Sequence, residues 1–290
     1  MQSLRISIVQ YLNTAPLVRG FTHGPLRGKY QLSFTVPSQC AEALRTGAVD
    51  IAIIPAIELP RIDHLVALPN LSIASKKSVR SLLLVSTKPI HEVRRIALDR
   101  SSRSTQALVR ILCAKYWRIT PEFFEADPHL ATMLDQADAA LLIGDPALRL
   151  ALESTPAQLA AKAPASGLFF YDMVEKWRAL TGFPAVLALW AARRATVTPE
   201  VVRDFQDSLA FGMQHLSEIS AEAARELNLP AEKITRYLTE NIDYTLDAEN
   251  LRGLERYYDL AAELGLLKDA KPLPIASFEV SPELAAVRRT

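Results

Sequence analysis

The sequence predicts an α/β fold of two lobes, each a mostly parallel sheet flanked by helices, with a ligand cleft between them. Three observations carry this. Short apolar strands alternate with helical segments over the first two-thirds of the chain, the pattern of β/α units. That pattern starts afresh after Lys88-Pro89, so there are two such units. From Thr198 onward the chain reads as helix alone.

In chain order, residues 5–10 read as a buried strand that turns through Asn13-Thr14-Ala15-Pro16, a helix start with proline in the first turn. Residues 31–36 are a second strand. Pro37-Ser38 then opens a helix stopped by Gly47, a glycine suited to the left-handed position after a helix. Residues 50–54 are a third strand, ended by Pro55, and 81–86 another. In the second unit, 95–98 is a strand, 99–104 a polar turn and 105–116 a helix. Strands follow at 123–126 and 139–143, the latter running into Gly144-Asp145-Pro146. Residues 162–167 form a Pro/Ala/Ser-rich loop, 171–180 a helix and 185–192 an apolar strand carrying Trp190. Thr198-Pro199-Glu200 opens a helix reaching about residue 216. Helices at 221–227, 230–240 and 247–264 follow, and the last two dozen residues meander over the surface. Two units imply two crossings between lobes, expected near 84–88 and 185–192. Lobe one is then 1–86 with 190–290, and lobe two is 87–189.

Size and composition agree with this. A chain of 290 residues, 49% hydrophobic and 22% charged, is long enough for about two domains and needs no disulfide or structural metal to fold. Ten glycines are about half the usual share of ~7%, which argues against glycine-rich phosphate loops. The stretch Gly24-Pro25-Leu26-Arg27-Gly28-Lys29-Tyr30 lacks the spacing and the hydroxyl of a phosphate loop and reads as a turn. Thirty-three Lys+Arg against 32 Asp+Glu leave a charge of +1, with no basic face for nucleic acid. Cys40 and Cys113 read as small buried hydrophobes, and His23, His64, His91, His129 and His215 are scattered without metal-ligand spacing. No metal or cofactor is expected. The interrupted apolar run after Met1 and the lack of a stretch of about 20 apolar residues point to a cytoplasmic protein without a membrane partner. Oligomeric state is not legible.

Candidate site residues are the polar groups at strand-to-helix junctions: Asn13 and Thr14 after strand one, Ser38 after strand two, Ser86 at a crossing, and Ser101, Ser102, Ser104 and Thr105 after the first strand of the second unit. Each suits helix capping by itself. Gathered around one cleft, they offer neutral donors beside positive helix ends, a site for a small carboxylate. Asp145 is the one acidic residue at a strand end, suited either to capping or to service as a functional carboxylate.

Five strings in order, Tyr11-Leu12-Asn13-Thr14-x-Pro16-Leu17, Asp50-Ile51-x-x-Ile54-Pro55, Leu142-Ile143-Gly144-Asp145-x-Ala147-Leu148, Tyr171-Asp172-x-x-x-x-Trp177-x-x-x-Thr181-Gly182-x-Pro184 and Trp190-Ala191-Ala192-Arg193, run through nearly the whole chain. On these the sequence resembles the chorismate dehydratase family of the futalosine route to menaquinone. The resemblance implies the fold of type II periplasmic binding proteins, reused in the cytoplasm as a hydro-lyase that takes chorismate to 3-[(1-carboxyvinyl)oxy]benzoate. It further implies that Asn13 polarises the departing hydroxyl or a substrate carboxylate. Carboxylates would be held by Ser38, Ala56, Ser104 and Thr105, with Thr14, Ser102 and Gly144 in the binding site and Ser86 at the hinge. The proton would pass to Asp145 or to the substrate's own enolpyruvyl carboxylate. Three other readings are the related pathway enzyme acting on cyclic dehypoxanthine futalosine, a non-catalytic solute-binding protein, and an effector module of a transcription regulator. The first carries a histidine where this chain has Gly144-Asp145, the second needs an export signal, and the third a preceding helix-turn-helix.

Overall fold

The computed structural model describes residues 3–154, 167–269 and 272–277, so part of the expected loop at 162–167 and most of the final stretch lie outside it. Two five-stranded sheets organise the chain. The first contains β1 (Arg5–Val9), β2 (Gln31–Thr35), β3 (Ile51–Pro55), β4 (Leu65–Ser75) and β10 (Ala185–Arg193), in the order β2-β1-β3-β10-β4. The second contains β5 (Leu82–Ser86), β6 (Arg95–Asp99), β7 (Glu122–Ala126), β8 (Ala139–Ile143) and β9 (Phe169–Asp172), in the order β7-β6-β8-β5-β9.

Each sheet is mixed in the same way. The β/α units give parallel pairs, β1 with β2 and β3, and β6 with β7 and β8. The strands that receive the chain from the other lobe run against them: β10 is antiparallel to β3 and β4, and β5 to β8 and β9. The expected lobe boundaries therefore move. Leu84, Val85 and Ser86 are fully paired within the second sheet and Ala185–Arg193 within the first, so neither stretch is a connector. The chain passes between sheets at 76–81 and 182–184. An apolar strand interior is what a buried sheet needs, and it is easily taken for the hinge that adjoins it.

The helices between strands of one sheet are α1 (Ala15–Thr22), α2 (Pro37–Thr46), α3 (Arg103–Ile111), α4 (Leu130–Leu134) and α5 (Gly144–Glu153), and α6 (Met173–Thr181) leads from β9 back to β10 of the first sheet. A π-helical turn, Leu112–Trp117, extends α3. The helical end comprises α7 (Pro199–Gln214), α8 (Leu216–Leu227), α9 (Ala231–Arg236) and α10 (Ala248–Glu263). Thr198 caps α7 by accepting from Val201 N at 3.2 Å, as its Thr-Pro-Glu start predicts. Gly212 lets α7 lie directly on α1: a Cβ there would stand 2.0 Å from Pro16 O. This packing fixes the helix that follows the first strand. Strand β4 and the short α4 were not expected, because Pro69-Asn70 interrupts the apolar pattern of β4 and five residues are too few for helical periodicity. The start of the expected helix at 171–180 is instead the end of β9, with Asp172 capping α6. Cys40 and Cys113 are both buried and unbridged, and burial pushes their thiols up to about 11 and about 12. Residues 272–277 do not drift free: Ala67 N donates to Pro274 O at 2.7 Å beside β4.

Candidate active site

The carboxyl ends of β1, β2 and β3 face those of β6 and β8, and the loops there meet. A parallel sheet places strand ends and the following helix starts on one edge, where ligands bind in such folds. Four hydrogen bonds join the facing edges. Leu12 N donates to Asp145 Oδ1 at 3.0 Å, Ser38 N to Ser101 O at 3.1 Å and Ile57 N to Ser104 Oγ at 3.0 Å. The Tyr11 and Ser101 hydroxyls lie 3.3 Å apart. Arg103 of α3 adds an ion pair to the wholly buried Glu58 at 3.1 Å, a carboxylate that Arg45 and Arg61 also hold.

Between the edges lies a cavity of about 50 Å³, whose lining includes Tyr11, Pro55, Ser102, Thr105, Gly144 and Leu187. Thr105 and Leu187 also line a neighbouring hollow with Ser104, Trp177 and Tyr257. No charged side chain lines either space. The polar character comes from hydroxyls and from the helix starts of α2, α3 and α5. Ser102 is the N-cap of α3: its Oγ accepts from Thr105 N at 3.4 Å and lies 2.9 Å from Thr105 Oγ1. Unpaired N–H groups and the helix dipole at such ends favour an anion without a formal positive charge.

The expected residues divide into three groups. Ser102, Thr105 and Gly144 line the cavity, and Ser104 lines the adjoining hollow. Asn13, Thr14, Ser38 and Ala56 lie at the same edge without lining the cavity. Thr14 spends its hydroxyl on Val9 O at 2.6 Å, and Ala56 O accepts from Tyr258 Oη at 2.7 Å. Asn13 sits in the 3-10 turn Leu12–Thr14 with its Oδ1 buried and without a partner among the described residues. Its amide lies against the Tyr237 hydroxyl, which donates to Ser81 Oγ at 2.9 Å. Ser86 belongs to neither group. Antiparallel pairing sets Leu82 opposite Ile143 at the cleft edge and Ser86 opposite Ala139 at the far end. The Ser86 hydroxyl there donates to Lys88 O in its own turn at 2.7 Å and to Asp138 O before β8 at 3.1 Å. Ser86 was expected at the hinge because the crossing was placed at 84–88, whereas the chain passes between the sheets at 76–81.

Asp145 has a placement that neither expectation covered. It lies in the first turn of α5 yet caps nothing in its own helix, whose N-cap residue Ile143 also provides no side-chain cap. Its carboxylate reaches the opposite edge, and burial raises its pKa. It does not line the interlobe cavity. It borders two outer grooves instead, one with Arg19, Glu222 and Glu226, the other with His129, Arg149 and Glu153.

Sequence reasoning missed Tyr11, Tyr257 and Tyr237 as site residues. Tyr11 closes the cleft by bringing its ring onto Gly144. Tyr257 reaches in from α10 and donates to Ser104 O at 2.9 Å. Tyr11 stood inside a quoted motif, whereas the other two carry no local signal.

A model of the family described as menaquinone biosynthesis matches residues 4–263. The chain belongs to the menaquinone biosynthesis family. A curated chorismate dehydratase of Thermus thermophilus is 28% identical over 275 residues, covering 92% of this chain and 97% of that protein. A crystal structure of an Archaeoglobus fulgidus protein superposes with a TM-score of 0.72 at 20% identity, over 91% of this chain and 98% of its own. The periplasmic aliphatic sulphonate binding protein of Escherichia coli does so with a TM-score of 0.62 at 19% identity, over 97% and 96%. This menaquinone biosynthesis family member thus has the two-lobed periplasmic-binding-protein fold. Among the described residues no helix is long and apolar enough to cross a membrane.

Proposed function

We propose that the protein is a chorismate dehydratase, a cytoplasmic hydro-lyase that removes water from chorismate to give 3-[(1-carboxyvinyl)oxy]benzoate. The observation that carries this reading is the end-to-end likeness to the curated chorismate dehydratase within a menaquinone biosynthesis family. The site's chemistry supports it. Loss of a hydroxyl and a ring hydrogen makes the ring aromatic, so the product supplies driving force and no strong acid is required of the protein. A dianion suits a space edged by hydroxyls and helix starts, where preorganised donors act on developing charge.

Ser102, Ser104 and Thr105 hold substrate carboxylates, helped by Ser38 and by N–H groups at the start of α2 and after β3, with Gly144 lining the space. Asn13 polarises the departing hydroxyl with its amide. The substrate's own enolpyruvyl carboxylate takes the ring proton. A cavity of about 50 Å³ is far below the ~300–1,000 Å³ of ordinary ligand pockets, so the lobes part to admit substrate and close over it.

The test is to incubate purified protein with chorismate and separate the products by chromatography with mass detection. A product one water lighter with aromatic absorbance is expected. Asn13→Ala should then lower kcat by about 100-fold or more, the scale of a lost polarising donor. Chorismate that binds unchanged would make the protein a binding protein, and chorismate that does neither would remove the substrate assignment.

A further inference from the structure

Asp145 bonds to a backbone group of the other lobe and to nothing in its own helix. Leu12 N is the first N–H of the Leu12–Thr14 turn, one of the donors that a helical start leaves without an internal partner. Tyr11, at the N-cap of that turn, provides no side-chain cap, and Asp145 Oδ1 fills the role from across the cleft at 3.0 Å. The neighbouring residue grips the same segment. Gly144 has φ +63°, and a Cβ there would stand 2.7 Å from two carbons of the Tyr11 ring. Residues 144 and 145 of one lobe thus hold residues 11 and 12 of the other, one position before Asn13.

We infer that Asp145 is a positioning residue: by capping the Leu12–Thr14 turn in trans, it sets Asn13 in its working orientation only when the two lobes are together. The inference rests on the dehydratase reading for its kinetic test. It assigns the Asp145 carboxylate a hydrogen-bond acceptor's work and no proton transfer, in keeping with its place outside the cavity lining. It also gives a reason for the Gly-Asp pair at the end of β8. Glycine admits the tyrosine ring, and the aspartate that follows reaches the turn beside it.

The acceptor and base roles separate cleanly by substitution. Asp145→Asn keeps a carbonyl oxygen for Leu12 N–H and removes the base, whereas Asp145→Ala removes both. A capping role predicts that Asp145→Asn stays within about 3-fold of the parent kcat while Asp145→Ala loses about 10-fold or more. The Asn13→Ala/Asp145→Ala double variant should be no slower than Asn13→Ala alone, because both changes disable one unit. Equal loss in Asp145→Asn and Asp145→Ala, full activity in Asp145→Ala, or additive losses in the double variant would each overturn the inference. If Asp145→Ala fails to fold, Asp145→Asn alone decides, since a required base leaves it inactive. Hydrogen exchange at the Leu12 amide tests the contact without any turnover. It should quicken in Asp145→Ala and stay near the parent rate in Asp145→Asn, and an unchanged rate in Asp145→Ala would dismiss the cap. A parent protein that leaves chorismate intact would remove the dehydratase reading while the exchange result still judges the contact.

Discussion

Asp172 and Asp145 make an instructive pair. Asp172 is buried at the end of β9 and Asp145 is half-buried just after β8; both stand at a helix start, and burial raises the pKa of both. Asp172 spends its carboxylate at home. Oδ1 accepts from Val174 N at 2.9 Å and Glu175 N at 3.2 Å, capping α6, and Oδ2 accepts from Val79 N at 3.0 Å and Arg80 N at 2.8 Å. It thereby ties a helix to the passage at 76–81 between the sheets. Asp145 leaves its own helix uncapped and reaches the other lobe. The difference teaches that residue type and position relative to a helix do not define a carboxylate's work; the number and ownership of the N–H groups it accepts from do.

The sharpest way to break the comparison is Asp172→Ala. Four N–H groups, those of Val79 and Val174 buried, lose their acceptor, so unfolding free energy should fall by about 3 kcal/mol or more, toward the range for disrupting a buried charged network. Asp145→Ala removes one hydrogen bond and should cost about 1 kcal/mol. Urea midpoints of the two variants check this. Similar losses in both would mean that the cross-lobe bond is as structural as the local cap.

A pH titration of stability sharpens the same contrast. Burial pushes the Asp172 carboxyl up to about 6, and the N–H groups of Arg80, Glu175 and Val174 hold it from rising further. In the unfolded chain the same group titrates near 4. Between those values the native chain holds a proton that the unfolded chain has released, so stability falls as pH rises from about 4 to 6. The contribution is about 3 kcal/mol when complete. Asp172→Asn should remove this slope, and an unchanged slope would put the carboxyl's titration elsewhere.

Much of the fold was legible because periodicity and turn chemistry act locally. Pro37, Gly47, Thr198-Pro199 and Gly265 stand where the helices start or stop. Strand direction was not legible. Whether β5 and β10 run with or against their neighbours is decided by where the chain returns from the other lobe, and no window of sequence encodes that. Ser86 was expected in the site as part of a crossing at 84–88, and the antiparallel run of β5 puts it at the far end of its sheet. The candidate site was half legible for a related reason. Ser102, Thr105 and Gly144 sit at junctions that a β/α reading points to. Tyr257 and Tyr237 enter from helices more than a hundred residues away. Asp145 was singled out by position, but its partner, a backbone N–H of the facing lobe, exists only after the lobes meet.

Two glycines give a smaller effect with the same logic. Gly182 follows α6 at φ +77° with open space around its absent side chain, so Gly182→Ala meets backbone strain alone, about 1 kcal/mol. Gly144 combines φ +63° with the Tyr11 ring. Gly144→Ala should therefore match that strain and also part the cleft edges, lowering kcat/KM by about 10-fold, the scale of a displaced positioning group. Equal turnover in both variants would mean that the Tyr11 ring can retreat without moving Asn13.

The smallest effect separates the two ends of the second sheet. Ser86 ends β5 and Ser102 caps α3, and both residues are buried. The Ser86 hydroxyl is committed to the carbonyls of Lys88 in its own turn and of Asp138 before β8, on the edge away from the facing lobe. Ser86→Ala should leave kcat and KM for chorismate within about 2-fold and lower stability by about 1 kcal/mol, the contribution of a buried hydrogen bond. Ser102 caps α3 and lines the cavity, so Ser102→Ala should lose a comparable amount of stability and also raise KM by about 10-fold, a lost hydrogen bond to a charged group. Steady-state kinetics beside urea titration on the two variants reads both axes. A rise in KM for Ser86→Ala would return the substrate to the far edge of the sheet. Without such a rise, the two serines stand at opposite ends of the second sheet, and that placement decides which of them meets the ligand.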